Sequence, residues 1–120
     1  MGLVGTTIKT MNLTYREKLA LLKTLVQLSI CDRDFAKVEA QKVTNFMRNM
    51  GLSMSDLDAA KNLSDREVAN IVSDFTGSEK ESVKQLWKEI IRADNKVTNE
   101  ELITFVEMCE ACDIDVSGSI

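Results

Sequence analysis

The sequence predicts an all-α fold, a compact bundle of five to six mostly antiparallel helices. Three observations carry this. Apolar residues recur at i, i+3, i+4 and i+7 in successive segments, the spacing of one helical face. Ser or Thr followed three residues later by Glu stands ahead of several of these segments; this is the mark of a capping box, where two side chains satisfy orphan amides at a helix start. No stretch alternates strictly between apolar and polar residues as a half-buried strand would, and the 120 residues include no proline to interrupt a helix from inside.

Residues 1–12 are small, polar and aperiodic, and read as a flexible leader. Gly2 with Thr6 fits the short myristoylation pattern, but the segment lacks the basic start and long apolar run of a secretory signal. Thr14-Tyr15-Arg16-Glu17 is the first capping box. Behind it, Leu19, Leu21, Leu22, Leu25, Val26, Leu28 and Ile30 cover more than one face, which predicts a central helix packed on several neighbours. Cys31-Asp32-Arg33-Asp34-Phe35 breaks the pattern.

A second helix is expected from about Ala36 to Met50, with Val43, Phe46, Met47 and Met50 as its core stripe. Gly51 follows where a left-handed cap is wanted. A short helix fits between Ser53 and Asn62. Ser64-Asp65-Arg66-Glu67 caps the next, whose stripe is Val68, Ile71, Val72 and Phe75. Thr76-Gly77 is expected to end that helix and Ser78-Glu79-Lys80-Glu81 to start another, striped by Val83, Leu86, Trp87 and Ile90. The last helix opens with Thr98-Asn99-Glu100-Glu101 and is expected to bury Leu102, Phe105, Val106 and Cys109. Residues 13–113 thus form one domain, and 114–120 a flexible tail.

Composition narrows the chemistry. Histidine is absent, which removes Ser-His and Cys-His nucleophile pairs and every imidazole metal site. Nineteen acidic residues against fifteen basic ones give a net charge of −4, with no Lys/Arg cluster of the kind that displaces counterions from nucleic acid. No segment approaches the ~20 apolar residues of a membrane span. Three cysteines without an export signal suggest a cytoplasmic setting. Cys109-Glu110-Ala111-Cys112 has C-x-x-C spacing, but without a βαβ context or a fourth ligand it reads as packing. Lys80, Lys84 and Lys88 form a basic row expected to be a solvated face. A half EF-hand at Asp113–Gly118 lacks its bidentate Glu and reads as polar tail.

One pattern occurs twice. Asp32, Phe35 and Glu39 in the first half match Asp94, Val97 and Glu101 in the second, as Asp-x-x-apolar-x-x-x-Glu at a helix-turn-helix corner. Local capping accounts for each corner: Asp accepts from turn amides, the apolar residue plugs the corner, and Glu complements the next helix's dipole. Alternatively, if both corners share one side of the molecule, Asp32, Glu39, Asp94 and Glu101 make a single acidic surface. Oxygen-only ligands of that kind suit a divalent cation such as Ca²⁺ or Mg²⁺.

This pattern, with a helix ending in Met-Gly-Leu, resembles the TerB-like domain family, to which the tellurite-resistance protein TerB and the N-terminal domain of a DnaJ-like co-chaperone belong. The resemblance spans residues 14–112. It implies two similar helical halves and an acidic surface for divalent metal, carried by position onto Asp32, Glu39, Asp94 and Glu101. Where the family follows its Asp with Gly, this sequence has Arg33 and Asn95. The expected function is a non-enzymatic interaction module with a protein partner, in a stress-response or signalling context that the resemblance alone implies. The alternative is a structural or homo-oligomerising helical domain with no metal site.

Overall fold

The helix Tyr15–Ile30 (α1) is apolar on most of its circumference, and each of the other five described helices packs against it. The structure is a computed structural model, which describes residues 12–30, 37–92 and 97–116. After α1 come Lys37–Met50 (α2), Met54–Lys61 (α3), Asp65–Ser73 (α4), Gly77–Ile91 (α5) and Asn99–Ala111 (α6). The described residues contain no strand. No described helix is long and apolar enough to cross a membrane. The leader up to residue 11, both corner segments (31–36 and 93–96) and residues 117–120 lie outside the described residues.

Ala20, Leu21, Leu22, Leu25 and Leu28 of α1 are fully buried, as expected of a central helix. Removing a Leu side chain from water contributes ~1.5–3 kcal/mol, so these positions make α1 the hub of the core. Its polar side chains also reach the ends of its neighbours. Lys18 Nζ donates to Met50 O at 3.3 Å and Lys23 Nζ to Lys61 O at 2.9 Å, placing ammonium groups on the open carbonyl ends of α2 and α3. Tyr15 donates to Asp56 at the start of α3, and Arg16 bonds Glu67 in the first turn of α4 at 2.9 Å.

Reciprocal capping opens α1, α4, α5 and α6. Thr14 and Glu17, Ser64 and Glu67, Thr76 and Glu79, and Thr98 and Glu101 each exchange backbone-to-side-chain bonds across three residues. At α3, Ser53 N donates to Asp56 at 2.7 Å. The cap of α5 corrects the expectation at this junction. Thr76 is the N-cap and Gly77 the first helical residue, so Ser78 lies inside the helix. Both Thr76-x-x-Glu79 and Ser78-x-x-Glu81 fit the motif; Thr76 takes it because α4 has already ended at Asp74.

Two of these carboxylates sit below the ordinary carboxylate range. Asp56 is lowered by the Tyr15 hydroxyl and then by the Ser53 amide; Glu67 is lowered by the Ser64 amide and then by Arg16. A lowered folded-state value means that these caps hold fully above the ordinary values of 3.8 and 4.5 and weaken as pH falls through the folded values. Urea midpoints should therefore be flat from neutral pH to about pH 5 and fall below it. In Asp56→Asn/Glu67→Gln the acid-side decline should be shallower; an unchanged decline would remove the caps as its source.

Helices α2 and α6 end alike. Gly51, at φ +70°, follows α2, with Leu52 N donating to Met47 O and Gly51 N to Arg48 O. Asp113, at φ +57°, follows α6, with Ile114 N donating to Cys109 O and Asp113 N to Glu110 O. Both are Schellman closures, and the second uses Asp, one of the few side chains that tolerate the left-handed region. It turns Ile114 back into the core, 7% exposed, with Val116 packed partly against it. The chain beyond residue 113 is thus anchored through 116, contrary to the expected tail. Among the described residues, nothing beyond its own chain neighbours lies within 4 Å of where a Cβ on Gly51 would sit, so Gly51→Ala meets only the backbone penalty. We expect a loss of about 1–2 kcal/mol on chemical denaturation; a neutral result would mean that this turn relaxes out of the left-handed region.

Helix α6 departs from its expected face. Its buried residues are Glu101, Phe105 and Cys109, followed by Cys112, whereas Leu102 and Val106 are more than a third exposed. A stripe drawn through apolar residues alone skips Glu101. That carboxylate holds a core-facing position because Oε1 accepts from both Thr98 N and Thr98 Oγ1. The expected basic row is corrected too. Lys84 and Lys88 are buried, and Lys80 reaches Asp113 at 3.5 Å, because α5 lies under α6 and its returning end. Their stems cover apolar surface, as long basic side chains can. Glu89 instead pairs with Lys42 of α2 at 3.1 Å.

Candidate functional site

Of the four carboxylates expected to meet a cation, the described residues include one complete side chain. Asp32 and Asp94 lie outside the described residues. Glu39 lies on α2 with its side chain outside them. Glu101 is 2% exposed and serves as the reciprocal cap of α6. Among the described residues, no three His, Cys, Asp or Glu side chains gather where they could share a metal ion.

The C-x-x-C pair is likewise structural. Cys109 and Cys112 are free and buried in the core. Burial pushes both thiols up to about 11, in Cys109 against the pull of Lys84 and Lys88. A thiol held protonated is a poor nucleophile and a poor metal ligand.

A cavity of about 410 Å³ lies instead where α1, α4 and α6 come together. Its floor is Thr24, Val68 and Cys112, all buried, and Ala69 and Met108 form half-buried walls. Ala111, Asp65 and Glu107 stand at the exposed rim, with Gln27 and Thr104 half-buried between. The volume is within the ~300–1,000 Å³ of small-ligand clefts, and an apolar floor under a few polar groups is their usual construction.

Each wall has a local cause. Asp65 is the first residue of α4, placed by the Ser64–Glu67 box, and Gln27 Nε2 donates to Asp65 Oδ1 at 2.8 Å, tying α4 to α1. On α6, Thr104, Glu107, Met108 and Ala111 share the flank beside the buried face, three and four residues apart. The small side chains Ala69 and Ala111 leave the space that larger residues would close.

Beneath the floor, Trp87 Nε1 donates to Thr24 Oγ1 at 2.9 Å, while Thr24 Oγ1 donates to Leu21 O at 2.6 Å. The hydroxyl proton is thereby engaged, and the one tryptophan of the chain is coupled to the cleft through Thr24. Thr24→Val keeps the side-chain shape but leaves the buried indole N–H without its acceptor. We expect a loss of ~1–3 kcal/mol, largely abolished in a Trp87→Phe background; equal losses in both backgrounds would show that the bond contributes nothing.

A second exposed feature is the outer face of α6, where Leu102, Ile103 and Val106 are 38%, 58% and 39% exposed. Sequence patterning missed the cleft because its walls come from three helices far apart in the chain. The only local trace is the pair of alanines at half-apolar positions. Comparison with protein-family models, with curated proteins and with solved structures returns no match.

Proposed function

We propose that the chain is a non-catalytic helical binding module of TerB-like kind, and that the cleft between α1, α4 and α6 receives its ligand. The observation that carries this is the cleft itself: an apolar floor beneath polar groups contributed by three different helices. The absence of histidine, and cysteines held as neutral thiols, support binding over catalysis. The repeated corner pattern supports the TerB-like part of the reading, including a divalent cation at Asp32, Glu39, Asp94 and Glu101, the last of which also caps α6. Calorimetric titration of Ca²⁺ and Mg²⁺ into wild type and Asp32→Ala/Asp94→Ala tests that component separately.

Neutral apolar fragments such as indole test the cleft. They should shift the amide resonances of Thr24, Val68, Ala69 and Met108, and the shifts should disappear in Ala69→Phe and in Ala111→Phe, which fill the space from two walls. Shifts scattered over the surface, or retained in both variants, would remove the cleft as the site.

Self-association is a second reading, favoured by the exposed Leu102, Ile103 and Val106 on one helix. It requires a concentration-dependent sedimentation coefficient that Ile103→Glu abolishes.

A further inference from the structure

The charges around the cleft are one-sided. Asp65 and Glu107 stand on opposite walls, on α4 and α6, and among the described residues no lysine or arginine lines the cavity. Helix α6 carries Glu100, Glu101, Glu107 and Glu110 and no basic residue at all. A negative side chain in the ligand would meet Asp65 and Glu107 at the rim with no described basic lining residue to offset them, whereas a positive one would meet them favourably.

Shape limits the ligand further. The α6 wall runs from Thr104 to Ala111, eight residues and roughly 10 Å of helical rise. Two side chains at i and i+4 of a bound helix, about 6 Å apart, fit that length. The floor of Thr24, Val68 and Cys112, with Met108 on the wall beside it, offers them no ion to pair with and asks for apolar groups. Met108 can also repack around different anchors.

Resting on the binding-module reading, we infer that the cleft takes a basic amphipathic segment of a protein partner: two apolar anchors seated on its floor, flanked by Lys or Arg facing Asp65 and Glu107. This is helix-in-groove recognition with charge supplied on both banks.

Three synthetic helical peptides of equal length test it against the intact chain, followed by calorimetry and by the fluorescence of Trp87, which the floor residue Thr24 touches. The first carries Leu at i and i+4 among lysines, the second replaces Lys with Glu, the third replaces Leu with Ser. The first should bind at least tenfold more tightly than either other and weaken as salt rises. Glu107→Gln should weaken it severalfold, and Asp65→Asn/Glu107→Gln further, with the circular dichroism spectrum unchanged. Equal binding of the Lys and Glu peptides, binding that survives the double variant, binding by the Ser peptide, or no binding by any peptide overturns the inference. Fragment shifts that persist at Thr24 and Val68 beside such a failure would leave the cleft a binding site of different chemistry. Loss of both would end the two readings together.

Discussion

Trp87→Ala is expected to cost about 3–5 kcal/mol, the range for truncating a large buried aromatic. The ring has no exposed surface and stands edge-on to Phe105, with centroids 6.4 Å apart and planes at 88°. That geometry sets the positive edge of one ring against the negative face of the other and adds ~0.5–1.5 kcal/mol beyond burial. Truncation also strands the Thr24 hydroxyl as an acceptor, though the bond from Thr24 to Leu21 O survives. Since domains of this size hold only ~5–15 kcal/mol in total, the variant should be partly unfolded or should melt far below wild type. A urea midpoint within experimental error of wild type would mean that the α1–α5–α6 junction is not packed as described.

Leu25→Ala should cost ~2–5 kcal/mol. Leu25 is wholly buried on α1, and Ser29 Oγ donates to its carbonyl at 2.8 Å. The distinguishing feature is breadth. A cavity in a helix touched by all the others should lower the stability of the whole bundle, so helicity and Trp87 fluorescence should be lost together. Separate transitions would show that some helices fold without the hub.

Helix type and order were legible because each segment carries its own signal. Val43, Phe46, Met47 and Met50 all reach the core, as do Val83, Leu86, Trp87 and Ile90. The capping boxes marked helix starts to the residue except at Thr76, where two overlapping motifs compete. Errors arose where polar side chains enter the interior. Glu101 is buried because its own cap satisfies it, and Lys84 and Lys88 because a neighbouring helix covers them; neither cause is written in hydrophobic periodicity. The fate of Ile114 turned on Asp113 accepting a left-handed backbone, a conformation the sequence permits without demanding. For function the balance was different. The repeated corners are local and visible, yet the cleft exists only after Gln27, Asp65 and Glu107 are brought together from separate helices.

The placement of α1 bears on how the chain is made. Synthesis runs from the N-terminus at ~5–20 residues per second, so the hub leaves the ribosome before α2 to α6, and every later helix emerges to find its berth already present. A circular permutant delivering Tyr15–Ile30 last would reverse that order, leaving five apolar faces without a common seat until translation finished. It should reach the same native state while losing more of its nascent chains to aggregation.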